Sequence, residues 1–416
     1  MSVVFDRPYR FIPPHTGNRW PNFIQTTRLY DLYLRRAEGV VDGEIRGLHH
    51  FEGPLRRGDG IILAPNHCRY ADPLILGWPA RQLKTHLYAM ASWHLFNKGP
   101  VAEFALRKMG AFSLNREATD RKSLDFAVNT LVYATRPLVL FPEGATYRTN
   151  DYLKPLLDGV TFIARTAARK AAKEAAKQSG DPSPRQITIL PIGIKYLCLD
   201  PVRPWADKQL TNLEKRFGWR PGDASDNLLR RTDRVHRAHL GTIAARFDAP
   251  LCGDTAHDQR QNLIRHLLAQ SEPALDLTPA AEDGDTEPSH RARAIRTAVV
   301  ADLFSDAPVH ERVLLRRHSN AADAILELAA YPRHYLDPNV ATDTRVVETI
   351  QRMQESLDGK CDSSMRLKSI IRFDDPIAVP TDKPPRGQTD PLRLQLRGRL
   401  DAMISELSTE AKRIDS

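Results

Sequence analysis

The sequence predicts an α/β protein with a mixed, mainly parallel sheet flanked by helices, followed by a helical C-terminal region. Two observations predict this fold class. Continuous apolar runs at residues 61–64, 138–141 and 187–190 each end at a proline-bearing turn, and a strand that is buried on both faces has this pattern. Helical patterns lie between the runs, and alternation of strands with helices predicts parallel pairing.

The chain begins with a segment, residues 1–40, that is rich in aromatic and basic side chains. Its apolar positions between Asn22 and Arg36 fit an amphipathic helix only loosely. Aromatic and arginine side chains together suit a lipid interface, whereas the same spacing also suits a helix that packs on the core. Both interpretations of this segment stay open at the level of sequence.

The central segment, residues 41–203, holds the three apolar runs and is predicted to be one α/β domain. Between the runs, helical patterns occupy about 73–79, 101–109 and 120–135, the last with apolar residues on one side. An alanine- and lysine-rich stretch at 159–179 has high helix propensity. Its basic side chains are expected to face solvent, and contact with phosphate or lipid is the alternative.

Beyond residue 203 the sequence carries no recognisable catalytic pattern. We expect a helical extension at 204–271, an acidic flexible linker at 272–290, and a helical region at 291–416 with a proline-rich linker near 374–389. The predicted helices of this half cover residues 233–246, 257–271, 291–305, 310–330, 343–358 and 390–413.

The 416 residues carry a formal net charge of +9, which favours an anionic partner, namely nucleic acid, a CoA-type substrate or lipid headgroups. A merely basic, soluble surface is the alternative. The four cysteines lie far apart without a Cys-x-x-Cys pair, so neither a zinc site nor a disulfide framework is expected, as in a reducing cytoplasm. The sequence shows no signal peptide and no membrane-spanning apolar stretch. We therefore expect a cytoplasmic protein whose membrane contact is peripheral.

The most informative motif follows the first apolar run, where His67 precedes Asp72 by five residues. A histidine at a strand exit with an aspartate in reach is a general base with a partner that fixes its tautomer. The chain must turn between them, because positions five apart do not share one face of a helix. Asp72 precedes Pro73, so capping of the next helix is an alternative role for the carboxylate.

Three further blocks follow in order. The segment 110–116 ends in Arg116, residues 141–144 read Phe-Pro-Glu-Gly, and residues 191–194 read Pro-Ile-Gly-Ile. With the histidine–aspartate block, their order and spacing resemble the glycerolipid O-acyltransferase family, which includes glycerol-3-phosphate and 1-acylglycerol-3-phosphate acyltransferases. The resemblance covers roughly residues 45–200.

The resemblance implies that His67 deprotonates the acceptor hydroxyl and that Asp72 orients His67. The hydroxyl then attacks the acyl thioester directly, without a covalent acyl-enzyme, and Cys68 is expected to have no nucleophilic role. Arg116 is implied to contact the phosphate of the acceptor, a role that suits a bidentate guanidinium.

The resemblance also implies substrate-binding roles for residues of the later blocks. Glu143 and Gly144 are expected to shape the acceptor site, with Glu143 holding Arg116 or a hydroxyl, or else forming a structural ion pair. Arg148 is expected to add a phosphate contact. Pro191 and Gly193 are expected to form part of the acyl or thioester side of the cleft, or to provide only turn geometry.

These expectations define the substrates and partners. A fatty acyl group passes from acyl-CoA or acyl-ACP, as co-substrate without a bound cofactor or metal, to the hydroxyl of a lysophospholipid or glycerol phosphate at an anionic membrane surface. No nucleic acid partner is expected. Two other hypotheses remain: a nucleic-acid-binding basic protein, which leaves the four ordered blocks unexplained, and a membrane-associated scaffold that keeps the fold without the catalysis.

Overall fold

The strands of the computed structural model form one mixed sheet. The structure describes residues 7–146, 148–177, 184–222, 226–278, 288–304, 308–382 and 388–414. Within these residues the sheet has eight strands. They are β1 (Val40–Arg46), β2 (Gly60–Pro65), β3 (Tyr88–Ser92), β4 (Ala111–Leu114), β5 (Leu138–Val139), β6 (Ile187–Cys198), β7 (Leu367–Phe373) and β8 (Ile377–Ala378).

The strand order across the sheet is β1-β7-β6-β2-β5-β3-β4, with β8 also paired to β6. The central strands β6, β2, β5, β3 and β4 run parallel to one another, while β7 and β8 run antiparallel to β6. The sheet is therefore mixed and mainly parallel, which confirms the predicted fold class. Because the carboxyl ends of parallel strands meet at one edge, the loops after β2, β4 and β5 lie at the same edge.

Helices cover the sheet and build most of the C-terminal half. None of the described helices is long and apolar enough to cross a membrane. A π-helical turn (Leu34–Glu38) and a 3-10 segment (Trp93–Lys98) complete the regular structure. The α-helices are α1 (Arg19–Thr27), α2 (Leu29–Tyr33), α3 (His49–Arg57), α4 (Asp72–Ile75), α5 (Gly77–Gln82), α6 (Pro100–Lys108), α7 (Arg121–Val132), α8 (Gly159–Ala175), α9 (Val202–Arg216), α10 (Leu228–Arg246), α11 (Ala256–Ala274), α12 (Pro288–Leu303), α13 (Val309–Ala329), α14 (Asp343–Asp358) and α15 (Pro391–Ser408).

The apolar core lies on both faces of the central strands. Along β2, Ile61 and Leu63 belong to one cluster, which includes residues of α9 and α14. Ile62 and Ala64 belong to a second cluster with residues of α7, α8 and α15. Every residue of β2 is buried, and this explains why its sequence is apolar without alternation.

The N-terminal helix predicted within residues 22–36 is broken in the structure. Arg28 separates α1 from α2 by adopting a left-handed conformation, with φ 53°. Tyr30 is buried in the core, whereas Trp20 and Phe23 are 37% and 50% exposed. The segment therefore packs on the core along one side and presents aromatic rings to the outside along the other.

The C-terminal half is helical, as predicted, and it also supplies two strands that the sequence did not reveal. β7 lies between β1 and β6. β8 pairs with β6 inside the segment expected to be a proline-rich linker. Residues 383–387 of that linker, and residues 279–287 of the acidic linker, lie outside the described residues.

The third apolar run continues through its expected turn. β6 extends over Pro191 and Gly193 as far as Cys198. The carbonyl of Pro191 accepts from the amide of Asp374 (3.1 Å), just beyond the end of β7. The backbone nitrogen of Pro191 therefore faces the gap between β7 and β8. The sheet requires no N–H donor there, so a proline is tolerated at this position. The prediction of a turn at 191–193 was wrong for this reason.

Candidate active site

The loop after β2 is fixed to β6 by the side chain of Asn66. Its Nδ2 donates to the carbonyl of Ile194 (3.0 Å), and its Oδ1 accepts from the amide of the same residue (2.6 Å). These two bonds continue the contact between the strands beyond the last residue of β2. His67 therefore lies at the carboxyl edge of the sheet, as predicted.

His67 and Asp72 are in direct contact. His67 Nδ1 lies 2.8 Å from Asp72 Oδ2, and the imidazole stacks on Phe141 with 3.9 Å between ring centroids. The imidazole is 15% exposed, while the carboxylate is fully buried. A carboxylate at Nδ1 favours the tautomer with its proton on that nitrogen, and this leaves Nε2 as the basic nitrogen.

Five donors converge on the Asp72 carboxylate, one of them the Cys68 thiol, whose sulfur lies 3.8 Å from Oδ1. Besides His67, Oδ2 accepts from the amides of Cys68 (2.7 Å) and Arg69 (2.9 Å), and Oδ1 accepts from the hydroxyl of Tyr196 (2.7 Å). Both amides belong to the turn before α4, and Asp72 is itself the first residue of that helix. The carboxylate therefore closes the preceding loop around His67, and the alternative of a cap for the next helix was wrong.

Glu143, which follows β5, holds the backbone of the histidine loop. Its carboxylate accepts from the amides of His67 (2.6 Å) and Lys154 (3.0 Å), and the Lys154 ammonium lies 3.8 Å away. Burial raises the pKa of Glu143, against the opposing effect of Lys154. The expectation that Glu143 holds Arg116 was wrong, and the alternative of a structural ion pair is observed.

Cationic side chains hold the turn after β5. Arg116 follows β4 and donates to the carbonyl of Gly144, while the Lys154 ammonium donates to the carbonyl of Ala145 (3.1 Å). Gly144 has φ 72°, in the left-handed region that glycine favours. The arginine block and the glutamate–glycine block are far apart in sequence, and the sheet brings them together at one edge.

Arg148 enters a buried ion-pair network. Its guanidinium donates to Glu355 of α14 (2.8 Å), lies 3.8 Å from Glu38, and stacks over the ring of Tyr70. These contacts tie the loop after the turn to the C-terminal half. They give Arg148 a structural role, and the expected phosphate contact stays a prediction.

Pro191 and Gly193 are buried inside β6. A Cβ on Gly193 would lie 3.0 Å from the Cβ of Met403, so glycine permits the close approach of α15. Between them, the carbonyl of Ile192 accepts from the amide of Asn66 (3.3 Å). The observed contacts of this block position the histidine loop, and the expected role on the acyl side stays a prediction.

Residues from distant parts of the chain complete the site, and the sequence reasoning missed them. Tyr196 lies only three residues beyond Gly193, so the block itself could have indicated it. Arg69 is buried and donates to Gln351 of α14 (3.0 Å). Arg293 of α12 donates to the carbonyl of Glu143 (3.2 Å). Nothing in the sequence pairs these arginines with their partners.

The arrangement can accept a proton and hold an anion. A histidine with a buried orienting carboxylate supplies the base, and the guanidinium and ammonium groups of the neighbouring turn supply positive charge. Among the described residues, no group of three or more His, Cys, Asp or Glu side chains could hold a metal ion. The fold and the site together define an α/β protein with a histidine–aspartate pair at the carboxyl edge of its sheet.

Comparison with known proteins relates part of the chain to a family. Residues 48–195 match the family model described as acyltransferase. A 1-acyl-sn-glycerol-3-phosphate acyltransferase of Streptococcus pneumoniae (strain ATCC BAA-255 / R6) is 27% identical over 148 residues, which are 35% of this chain and 53% of the relative. The chain therefore spans about half the length of this curated relative. No solved structure matches the chain. These findings confirm the resemblance to glycerolipid acyltransferases.

Proposed function

We propose that the protein transfers a fatty acyl group from an acyl thioester, acyl-CoA or acyl-ACP, to the hydroxyl of a lysophospholipid or glycerol phosphate. The observation that carries this proposal is the contact between His67 and the buried carboxylate of Asp72, inside the segment 48–195 that matches the acyltransferase family. Arg116, beside that pair, is the proposed contact for the acceptor phosphate.

The proposed reaction is a direct transfer. Nε2 of His67 accepts the proton of the acceptor hydroxyl while the oxygen attacks the thioester carbonyl and a C–O bond forms. The tetrahedral intermediate collapses with cleavage of the C–S bond, and the imidazolium gives its proton to the departing thiolate. Asp72 holds the Nδ1 proton throughout and stabilises the charged imidazolium.

A covalent acyl-enzyme on Cys68 is disfavoured by the environment of the thiol. Cys68 is completely buried. Burial, followed by the nearby Asp72 carboxylate, raises the pKa of the thiol well above its usual value. A buried thiol that stays protonated is a poor nucleophile. The hydroxyl of the acceptor is therefore the proposed nucleophile.

The membrane is the proposed source of a lipid acceptor, and an exposed aromatic patch supports contact with it. The patch joins α1 to α6: Trp20 lies 5.9 Å from Phe23 and 5.3 Å from Phe104, between ring centroids. Val101, three residues before Phe104, is 80% exposed. The Lys108 ammonium lies 5.2 Å from the Trp20 ring. Aromatic rings beside a cation suit an interface with anionic lipids.

The test measures thiol release from acyl-CoA, or holo-ACP release from acyl-ACP, by the full chain with a panel of lysolipid and glycerol-phosphate acceptors. We expect transfer by the wild type, almost none by His67→Ala, and little change for His310→Ala, whose side chain is exposed. Cys68→Ala is expected to retain transfer, because direct attack needs no thiol.

Two outcomes contradict the proposal. Full activity of His67→Ala excludes the proposed base. A wild-type protein that transfers an acyl group to no acceptor, yet binds vesicles or nucleic acid, supports a scaffold or a nucleic-acid-binding protein instead.

A further inference from the structure

A cavity of about 900 Å³ opens between the π-helical turn, α9, α14 and the loop that precedes β7. Ligand pockets of proteins have volumes of about 300–1,000 Å³, so this cavity can hold a small molecule. We call it the basic cavity, because five cationic side chains contribute to its lining. They are Arg35, Arg36, Arg216, Lys360 and Arg366.

Two of the five cations form ion pairs. Arg216 pairs with Asp358, and Arg366 pairs with Asp200 (2.6 Å). In the described part of the chain, the other three form neither an ion pair nor a side-chain hydrogen bond. They are Arg35, Arg36 and Lys360. A cleft lined by charges of one sign concentrates ions of the opposite sign, so the basic cavity favours a ligand with several negative charges.

The remaining carboxylate of the lining, Asp362, fixes the loop before β7. One of its oxygens accepts from the indole N–H of Trp205 (2.9 Å) and from the amide of Ser364 (2.9 Å). The amide of Asp362 donates to the side chain of Gln354 (3.0 Å). These bonds form one wall of the cavity in advance of binding, as is usual for ligand pockets. The five cations face three carboxylates, which leaves a formal charge of +2.

The residues that line the basic cavity all lie outside the segment 48–195 that matches the acyltransferase family. They come from the N-terminal segment and from the chain beyond β6. The cavity is therefore a feature of these additional segments, and it gives them a candidate role in ligand binding.

The strand register places the basic cavity near the histidine loop. Asn66 in that loop binds both backbone groups of Ile194. Cys198, further along the same strand, pairs with Leu367, the residue directly after the cavity wall. The four residues from 194 to 198 span about 13 Å of extended strand. The cavity therefore begins about that far from the point where the histidine loop is fixed.

Two side chains connect the cavity wall to His67. Cys361 lines the cavity. Burial raises the pKa of its thiol to about 11, and the positive charge of Arg148 opposes this shift. Arg148 in turn stacks over the ring of Tyr70 (5.6 Å from the guanidinium carbon to the ring centroid). Tyr70 follows His67 by three residues and is 41% exposed, so this connection reaches the molecular surface.

We propose that the basic cavity binds a phosphorylated nucleotide, and its distance from His67 points to the nucleotide of CoA in the acyl donor. The choice of CoA rests on the proposed acyl transfer. CoA carries phosphorylated adenosine at one end and the thioester at the end of a long pantetheine arm, so one molecule can occupy both places. Guanidinium groups bind phosphate and stack on aromatic rings such as adenine. A free nucleotide is the other source of the same chemistry.

The first test measures binding of adenosine 3′,5′-bisphosphate and of CoA to the full chain by calorimetry. It compares wild type, Arg36→Ala, Lys360→Ala and the control Arg265→Ala, which removes an exposed arginine of α11 that pairs with no described carboxylate. A charge-assisted hydrogen bond corresponds to about 10- to 100-fold in affinity. Since both cavity side chains are exposed, we expect each variant to raise the Kd of both ligands by about 10-fold. The control should change neither Kd, and urea unfolding should be the same for all four proteins.

The second test identifies the source of the nucleotide from the KM values of acyl transfer. With CoA as the source, Arg36→Ala and Lys360→Ala raise the KM for acyl-CoA by about 10-fold, while the KM for the same acyl group on pantetheine stays constant. An unchanged KM for acyl-CoA, in variants that bind the bisphosphate more weakly, overturns CoA as the source in favour of a free nucleotide.

Two binding results overturn the site itself: wild type binds neither ligand, or the cavity variants bind both ligands as tightly as Arg265→Ala does. A wild type that transfers no acyl group, yet binds CoA more tightly than both cavity variants, supports the site and overturns the proposed function alone.

Discussion

Asp72→Asn tests whether the buried carboxylate acts on His67 by charge or by position. Oδ2 accepts from three N–H donors, and Oδ1 accepts from the Tyr196 hydroxyl. An asparagine can satisfy the three donors only with its carbonyl oxygen, so its NH₂ group must face the hydroxyl, which can rotate to accept. The substitution therefore keeps the orientation and tautomer of His67 and removes the negative charge.

The magnitude follows from the contact geometry. The imidazolium forms 2.8 Å from the carboxylate oxygen. The difference between a charge-assisted and a neutral hydrogen bond gives a lower estimate for the lost interaction, about 1.5 kcal/mol. Coulomb's law for charge centres near 4 Å at an effective dielectric of 20 gives an upper estimate, about 4 kcal/mol. We therefore expect kcat to fall by about 10- to 1000-fold.

The assay compares kcat for wild type, Asp72→Asn, His67→Ala and the double variant, with urea unfolding to check each fold. Because Asp72 is proposed to act through His67, adding Asp72→Asn to His67→Ala should lower kcat hardly any further. If the two losses multiply in the double variant, Asp72 acts independently of the base, and the reasoning fails.

Two further results are expected from other parts of the chain. The pKa of His94 is lowered to about 3 in the folded state, whereas a histidine in the unfolded chain has a pKa of about 6.5. Below about pH 6.5 the unfolded chain therefore binds more protons than the folded chain, and the stability of the fold falls as the pH drops. Between pH 7.5 and 5.0, the free energy of unfolding measured in urea should fall by up to about 2 kcal/mol more for wild type than for His94→Gln. Equal decreases for the two proteins would contradict this assignment. Phe104→Asp should weaken sedimentation with anionic vesicles, whereas Leu394→Asp, at an exposed position of α15, should not; equal binding by both variants would exclude the aromatic patch as the contact.

Some predictions succeeded because the relevant signal is local. The run at 61–64 is apolar because both faces of β2 are buried, and the next loop must carry His67 to the sheet edge. The spacing between His67 and Asp72 required a turn, and the structure has that turn. Helices were predicted at 257–271 and 343–358, where α11 and α14 lie, and a helix with one buried side imposes a local pattern on its own sequence.

Other features could not be predicted because they depend on contacts between distant segments. β7 carries no local mark of its place between β1 and β6. The turn expected at Pro191 was replaced by a continuous strand, because the gap between β7 and β8 removes the penalty for proline. Glu143 was assigned to Arg116 by chemistry alone, whereas the fold places it on the amide of His67 and beside Lys154.

The sequence by itself predicted the α/β class, the histidine–aspartate pair and the resemblance to acyltransferases, since each depends on residue types at fixed short spacings. Only the tertiary structure decided which oxygens of Asp72 serve which donors, that Tyr196 completes the carboxylate's partners, and that Arg293 enters the site from α12. The physical reason is that hydrogen bonds and ion pairs act over a few ångströms. Residues 150 positions apart in the chain, such as Glu143 and Arg293, meet only when the sheet and its helices have packed.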